Sequence, residues 1–239
     1  MIAAPATTPA TAALERQLLQ PVDGIPADFF PPGAAWVLER IERLQAPLAD
    51  PESSDTAHMV PLRLREFTAG RTAARMALRQ IACRDFAIPR HPDRSPLWPA
   101  GFCGSISHSR THAAAVVARI GQTVTLGLDL EEDDRVTPEL WPYTATPDQL
   151  ARLQALPAPV ARRLASLYFC AGEACYKALA PDRQHELLRS GNTVIAITLG
   201  PRPGEIRARL PAAAAPRPMS GRFAHTAGHW LAVFETEAC

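Results

Sequence analysis

The sequence contains almost no lysine: of its 25 basic residues, 24 are arginine, and Lys177 is the single lysine. It also has little net charge, +1 at pH 7. A chain with so small a net charge lacks the basic excess that coats nucleic acid or an anionic membrane surface. We therefore expect no nucleic-acid partner.

Long apolar runs are absent as well. No stretch approaches the roughly 18 apolar residues that a transmembrane helix needs. The first residues, MIAAPATTPATAAL, have neither a basic n-region nor a sustained apolar h-region. These features predict a soluble, cytoplasmic protein with no membrane span.

Paired cysteines are missing too. The five cysteines are scattered, odd in number, and show neither a CxxC pair nor zinc-finger spacing. This pattern argues against a disulfide framework or a zinc site and fits thiols in a reducing compartment. The 239 residues, 47% of them hydrophobic, suffice for one large domain or two small ones with a sizeable core.

Hydrophobic spacing predicts a mixture of helices and strands. Residues 62–81 have apolar side chains at helical spacing, with Arg71 on the apolar stripe. Residues 124–130 alternate apolar and polar and predict a half-buried strand that ends in acidic residues. The other predicted elements are helices over 34–45 and 159–179, loops over 50–56 and 211–218, and strands over 102–106, 113–118, 192–199, 206–210 and 230–234. This mixed order predicts an α+β fold.

Charge is distributed unevenly along the chain. Residues 63–119 contain ten arginines and three acidic residues, whereas residues 123–151 contain seven acidic residues and one arginine. A polyanionic ligand together with a divalent metal would suit this separation. Two solvated faces of opposite sign are the alternative.

Two groups of residues have the chemistry of a metal-dependent site. Asp129 and Glu131 are two apart at the end of a predicted strand, so their carboxylates share a face, as Mg²⁺ ligands can. Glu173 and Lys177 are four apart on a predicted helix and share a face there. A solvated turn and a surface ion pair are the respective alternatives. Because the chain uses arginine elsewhere, its one lysine indicates a need for a compact, titratable charge.

Two further features predict anion binding. Ser107 and His108 lie at the predicted turn between two strands, where hydroxyls, amides and an imidazole can hold a phosphate. A serine-rich hairpin turn is the alternative. No GxSxG elbow surrounds any serine of this turn, which argues against a hydrolase nucleophile. Arg71, on an apolar stripe, needs a phosphate or carboxylate partner unless its side chain reaches solvent.

Four blocks in this order resemble the 4′-phosphopantetheinyl transferases of the type that activates siderophore and surfactin synthetases. The first two blocks are the helix EFTAGR from Glu66 to Arg71, and the segment from Pro96 through Trp98-Pro99 and Gly101 to GSISHS at residues 104–109. The others are GxDxE at Gly127, Asp129 and Glu131, and the helix motif at Glu173, Tyr176, Lys177 and Ala178. The blocks span about residues 63–180.

The resemblance implies a fold and a reaction. The fold would be an α+β pseudo-dimer of two similar α/β halves, residues 1–124 and 125–239, with the active site in the cleft between them. The resemblance also implies a monomer that binds coenzyme A and Mg²⁺. The reaction would transfer the 4′-phosphopantetheine arm of coenzyme A to a serine of an apo acyl or peptidyl carrier protein, with release of adenosine 3′,5′-bisphosphate.

The same resemblance implies roles for individual residues. Asp129, Glu131 and Glu173 would bind Mg²⁺, and Glu173 would also act as the base for the incoming serine. Lys177 would stabilise the pyrophosphate charge or protonate the leaving phosphate. The remaining coenzyme A phosphate ligands would be Arg63, Arg71, Arg94, Ser107 and His108.

Two positions depart from the family pattern. Gly172 stands where the family usually has a lysine before the helix glutamate, and Arg110 follows the SHS turn where a glycine is common, so Arg110 could add a phosphate contact. A non-catalytic coenzyme A-binding or carrier-binding homologue is therefore an alternative. A metal-dependent nuclease is a weaker one, because nucleases place Glu and Lys at ExK spacing on a strand, whereas Glu173 and Lys177 have ExxxK spacing on a helix.

Overall fold

A computed structural model of the chain describes residue 18 and residues 24–54, 56–81, 86–121, 123–190, 194–210 and 218–237. Within these ranges the fold combines helices and antiparallel sheets, so the α+β prediction is confirmed. The helices are α1 (Asp50–Ser53), α2 (Pro61–Gln80), α3 (Trp141–Thr144), α4 (Pro147–Gln154), α5 (Ala158–Ala178) and α6 (Pro181–Arg189). The strands are β1 (Ala35–Arg40), β2 (Phe102–His108), β3 (His112–Arg119), β4 (Thr123–Glu132), β5 (Ala196–Leu199), β6 (Glu205–Arg209), β7 (Met219–Thr226) and β8 (His229–Glu237).

The strands form two sheets. One has three strands in the order β1-β3-β2, and the other has five in the order β4-β8-β7-β6-β5. Helix α2 packs on the first sheet and the long helix α5 packs on the second. Strand β2 also packs along β4, which brings the two sheets into contact. The interpretation as a pseudo-dimer, with a boundary between residues 124 and 125, stays a prediction.

A hydrophobic cluster fills the space between the sheets. Phe29 and Phe30, from the segment before β1, pack there against Val116 of β3 and Leu128 of β4. Phe29 is 1% exposed. The side chain of Arg222 donates to the carbonyl of Phe29 at 2.9 Å, which ties this early segment to β7.

The predicted long helices are confirmed. Helix α2 begins with Pro61 in its first turn, where the missing N–H costs nothing, and buries Phe67, Arg71 and Leu78. Helix α5 also has proline in its first turn and buries its apolar stripe from Val160 to Ala178 against the five-stranded sheet. None of the helices in the described ranges combines the length and the hydropathy that crossing a bilayer requires.

Strand β4 is buried on both faces, so the prediction of a half-buried strand is wrong. Leu126, Leu128 and Leu130 face the three-stranded sheet. Gly127 and Asp129 lie on the other face, under α5. Alternation predicted the two faces correctly, but it did not show that a second layer covers the polar one.

Gly127 lets α5 lie directly on β4. A Cβ atom added at Gly127 would stand 1.9 Å from the carbonyl oxygen of Ala174 and 2.4 Å from the backbone nitrogen of Ala178. Only glycine permits this approach of helix backbone to strand backbone. The hydroxyl of Thr125 donates to the carbonyl of Ala178 at 2.5 Å and holds the same end of the helix. The contact places Lys177, on α5, beside Asp129.

The predicted helix over residues 34–45 is wrong. These residues form β1 and a 3-10 turn at Ile41–Arg43. The sequence AWVLER contains good helix formers, but it pairs along its whole length with β3, from Ala35 opposite Val117 to Arg40 opposite His112. Cross-strand pairing and packing outweigh intrinsic helix propensity here.

The predicted loop over residues 50–56 is also wrong in part. Residues 50–53 form α1, and Glu52 is fully buried there. Its carboxylate pairs with Arg75 of α2 and accepts the backbone N–H of Ile88 at 2.9 Å. A polar stretch does not reveal that one of its acids has a buried partner 23 positions away.

The remaining predicted strands are confirmed as β2, β3, β5, β6 and β8, with shifted ends. Because β2 continues to His108, Ser107 and His108 lie on the strand, and their predicted place in the turn is wrong. Residues 192–193 of the predicted strand 192–199 and residues 211–217 of the predicted loop 211–218 lie outside the described residues. Strand β7 and helices α3, α4 and α6 were not predicted. Cys170 and Cys175 are buried thiols.

Candidate functional site

A cavity of about 530 Å³ lies where α2, β2, β4 and α5 meet. Eight of the nine predicted site residues line it, and the ninth, Glu173, lines a neighbouring cavity. The eight are Arg63, Arg71, Arg94, Ser107, His108, Asp129, Glu131 and Lys177. The fold therefore gathers residues that are up to 114 positions apart, 177 minus 63, around one space.

Three arginines, Arg63, Arg71 and Arg94, form one wall of this cavity, which we call the basic wall. Arg71 is its buried member. Its guanidinium carbon lies 4.4 Å from the centre of the Phe67 ring, and the residue is 5% exposed. Burial lowers the pKa of Arg71 to about 10, while the charge of Glu52 opposes that shift. The side chain thus stays cationic at neutral pH. Its Nε atom is buried and makes no hydrogen bond within the described residues, so it remains available to an anionic ligand.

His108 supports Arg63. The His108 Nε2 atom lies 2.5 Å from the Nη1 atom of Arg63, and Glu66 pairs with Arg63 at 3.3 Å. Because a guanidinium only donates, the imidazole must accept through Nε2 and carry its proton on Nδ1. Burial lowers the pKa of His108, and the charge of Glu66 opposes that shift. A neutral His108 therefore holds Arg63 at the cavity.

Arg94 is presented by a tight turn. Its φ of 73° lies in the left-handed region, which costs a non-glycine residue of order 1 kcal/mol. Within the turn, Arg94 N donates to the carbonyl of His91 and His91 N donates to that of Ser95, each at 2.8 Å. Asp93 Oδ1 accepts from the amide and the hydroxyl of Ser95. These bonds hold Arg94 in its strained conformation, and the residue lines the cavity.

Asp129 is the centre of the opposite wall of the cavity, the acidic wall, to which Glu131 and Lys177 also belong. Its Oδ1 atom accepts from Lys177 Nζ at 2.6 Å and from the Ser107 hydroxyl at 2.7 Å. Its Oδ2 atom is buried and has no hydrogen-bond partner in the described ranges. Burial lowers the pKa of Lys177, but the charge of Asp129 and the hydrogen bond to it outweigh burial and hold that pKa above its usual value. Lys177 is therefore a stable ammonium beside Asp129.

The negative charge of Asp129 also raises the pKa values of two other carboxyl groups, those of Glu131 and Glu173. Burial, followed by the charge of Asp129, raises the pKa of Glu131 to about 8. Burial and Asp129 likewise raise the pKa of Glu173, against the effect of Lys177. Crowded carboxyl groups of this kind are stabilised as anions by a bound cation, and their oxygens are the donors that Mg²⁺ prefers. Their chemistry and the unpartnered Asp129 Oδ2 fit that ion, although in the described ranges no three His, Cys, Asp or Glu side chains already converge on a metal position.

Glu131 predicts a measurable pH dependence. Its folded pKa of about 8 lies above the ordinary value of 4.5, so between these values the folded protein binds more protons than the unfolded chain and loses stability as pH rises. We expect Glu131→Gln to be more stable than the wild type at about pH 8, with a much smaller difference at about pH 5. Urea titrations in EDTA at both pH values measure this difference, and a gain of equal size at both would contradict the shift.

Glu173 faces the neighbouring cavity, of about 360 Å³. Tyr143, Phe169 and Gly172 line this second cavity, and Tyr176 lines both cavities. Nothing lies within 4 Å of a Cβ atom added at Gly172, so the departure from the family pattern at this position leaves open space beside Glu173.

The number of arginines between residues 63 and 119 is larger than the number that line the cavity. Of the nine arginines that the structure describes between residues 63 and 119, three line the cavity. Arg75 is bound to the buried Glu52, and Arg110 is exposed and paired with Glu132, so the expectation of a phosphate contact by Arg110 finds no support in the geometry. Sequence reasoning also missed Glu66 and Asp93 in the cavity wall. The three-residue spacing of Arg63 and Glu66 on α2 was the available signal for Glu66.

The sequence matches one family model. Residues 51–118 match the model of the 4′-phosphopantetheinyl transferase N-terminal domain. This match contains α2, β2 and nearly all of β3, and it therefore includes the basic wall together with Ser107 and His108.

Curated relatives match over a longer part of the chain. The chain is 42% identical over 120 residues to enterobactin synthase component D of Salmonella typhimurium, covering 48% of this chain and 47% of the relative. It is 32% identical over 148 residues to the 4′-phosphopantetheinyl transferase Npt of Nocardia iowensis, covering 62% and 65%. It is also 32% identical over 125 residues to the 4′-phosphopantetheinyl transferase PptT of Mycobacterium tuberculosis, covering 52% and 55%. The matches thus span about half to two thirds of these relatives' lengths.

Proposed function

We propose that this chain, which belongs to the 4′-phosphopantetheinyl transferase superfamily, transfers the 4′-phosphopantetheine arm of coenzyme A to a serine of an apo acyl or peptidyl carrier protein. Adenosine 3′,5′-bisphosphate is the second product. The observation that carries the proposal is the cavity at the junction of α2, β2, β4 and α5, with arginines on one wall and a carboxylate-lysine cluster on the other. A ligand with several phosphate groups and a divalent cation matches both walls.

The basic wall binds the phosphates of coenzyme A in this proposal. Arg63, Arg71 and Arg94 supply guanidinium groups from α2 and from the 91–95 turn, and such groups form bidentate hydrogen bonds with phosphate oxygens. His108 acts by orienting Arg63, since its Nε2 lone pair is already used by that arginine. Lys177 reaches the same space from α5.

The acidic wall binds Mg²⁺ through Asp129, Glu131 and Glu173 in this proposal. Bound there, Mg²⁺ would supply Lewis acidity and neutralise charge on the pyrophosphate. Glu173 takes the proton of the carrier serine as that oxygen attacks phosphorus.

Lys177 acts as a fixed positive charge rather than as an acid. Its raised pKa keeps the ammonium protonated, which suits charge stabilisation and makes proton donation to the leaving phosphate less favourable. Positioning and charge neutralisation are the main sources of catalysis in phosphoryl transfer. The two α/β halves, a monomeric state and a role in siderophore biosynthesis, suggested by relatives named enterobactin synthase component D, belong to the same proposal.

The direct test incubates the purified protein with Mg²⁺, coenzyme A and apo carrier proteins of the acyl and peptidyl types. Intact-mass spectrometry should show the carrier gaining one phosphopantetheine, and a carrier with its acceptor serine changed to alanine serves as the control. If coenzyme A binds but no carrier gains mass, the non-catalytic binding alternative replaces the transferase proposal.

Lys177→Arg tests the need for a compact charge. The ammonium lies between Asp129, Ser107 and the carbonyl of Leu128, at 2.6 to 3.3 Å from each. A guanidinium is larger and planar and cannot make these three contacts from one atom. We expect transfer to fall by about 10-fold or more. The measurement is the initial rate by intact mass, and wild-type rates in Lys177→Arg would refute the role assigned to lysine.

A further inference from the structure

The contacts of Ser107 differ from those of a phosphate ligand. Ser107 is 6% exposed and lies on β2, opposite the Asp129 region of β4. Its hydroxyl donates to Asp129 Oδ1 at 2.7 Å. It accepts from Lys177 Nζ and from the backbone N–H of Leu130, each at 3.3 Å.

These three contacts use the full hydrogen-bonding capacity of the hydroxyl. A serine hydroxyl has one proton to donate and two lone pairs that accept. Phosphate oxygens accept hydrogen bonds, so a phosphate would need the proton that Ser107 gives to Asp129. Giving it up would leave a buried carboxylate oxygen with one partner fewer, which is costly.

The same contacts orient Asp129. Both side-chain partners of Asp129, Ser107 and Lys177, bind Oδ1. Oδ2 is left as the buried oxygen without a protein partner in the described ranges. The carboxylate is thereby fixed with one oxygen held by the protein and the other free for a ligand, as outer-shell partners fix the carboxylates of metal sites.

We infer that Ser107 is a positioning residue, whose hydroxyl holds Asp129 and Lys177 in place across the junction of β2 and β4 instead of binding a phosphate of coenzyme A. This inference rests on the proposed function for its catalytic consequence, but the arrangement of Ser107, Asp129 and Lys177 is testable without turnover. Through Ser107, a residue of the three-stranded sheet sets the geometry of a carboxylate on the five-stranded sheet.

The test compares Ser107→Ala with Ser105→Ala. Ser105 is also buried on β2 and lines the same cavity, and its hydroxyl contacts the β4 carbonyl of Leu128 at 3.4 Å, but within the described residues it makes no hydrogen bond with Asp129 or Lys177. The two variants therefore remove the same group from the same strand. Circular dichroism and urea titration establish that each is folded; Ser107→Cys, similar in size but a weak hydrogen-bond donor, takes over if Ser107→Ala does not fold.

Three measurements separate positioning from phosphate binding. Calorimetric affinity for adenosine 3′,5′-bisphosphate in EDTA should stay within about twofold of the wild type in Ser107→Ala, whereas a loss of about 10-fold would overturn the inference. In transfer assays the Mg²⁺ concentration for half-maximal rate should rise, or kcat should fall, by about 10-fold to 100-fold with KM for coenzyme A nearly unchanged. Ser105→Ala should leave both properties near the wild-type values.

The third measurement does not depend on activity. Because Lys177 is the single lysine, lysine labelled with ¹³C at Cε alone gives one side-chain NMR signal. That signal should shift in Ser107→Ala and stay in place in Ser105→Ala. An unchanged signal in Ser107→Ala would refute the inference even if the protein is a transferase. If the signal shifts in Ser107→Ala but the wild-type protein modifies no carrier, the arrangement is supported and the proposed function is rejected.

Discussion

Replacing Gly127 with alanine is expected to lower the free energy of unfolding by about 3 kcal/mol or more. The added Cβ would overlap the backbone of Ala174 and Ala178, at 1.9 and 2.4 Å, and a helix backbone cannot move aside as a flexible side chain can. If α5 shifts instead, Glu173 and Lys177 move away from Asp129. Urea denaturation followed by circular dichroism measures the loss.

The matched control is Gly172→Ala, on α5 itself. Nothing lies within 4 Å of the added Cβ, and Gly172 is in the interior of a 21-residue helix. Alanine there should raise the free energy of unfolding by about 0.5–1 kcal/mol because of its higher helix propensity. Equal effects of the two substitutions would contradict the close approach of α5 to β4.

Asp129→Asn is expected to reduce transfer by about 100-fold to 1,000-fold, the range seen when one preorganised electrostatic group at the reacting atoms is removed. The amide has nearly the same shape but no charge. It deprives Lys177 of its closest carboxylate, at 2.6 Å, and removes an anionic oxygen from the proposed Mg²⁺ site. Initial transfer rates over a range of Mg²⁺ concentrations test this prediction.

Glu132→Gln is the control for Asp129→Asn. Glu132 lies on the same strand, but it pairs with the exposed Arg110 and does not line either cavity. Its loss should leave transfer within about twofold of the wild type, since an exposed ion pair contributes little. A large loss in Glu132→Gln, or none in Asp129→Asn, would disagree with the placement of the acidic wall.

The sequence predicted local elements and shared faces better than layers. The alternation of Asp129 and Glu131 and the helical spacing of Glu173 and Lys177 are local properties, and the structure brings Asp129, Glu131 and Lys177 to one cavity, whereas Glu173 lines the neighbouring cavity. The strand at β1 was missed because AWVLER favours a helix until β3 is present to pair with it. Nothing local to β4 revealed that α5 would cover its polar face.

The partners of charged residues were the least predictable feature. Arg71 and Arg75 lie on the same helix and both are buried, yet Arg75 is bound to Glu52 and Arg71 faces the cavity. Which arginine meets which acid depends on contacts between residues far apart in the chain, and composition does not contain that information. The site roles carried over from the family stay predictions for the same reason.

The position of Phe29 and Phe30 between the two sheets has a consequence for dissecting the protein. A fragment cut to the region that matches the family model, residues 51–118, would omit both rings and the edge strand β1. Val116 would then lose its aromatic cover, and β3 would lose one of its two neighbours. The boundary of sequence similarity is therefore a poor choice for an expression fragment, which should retain at least residues 24–50.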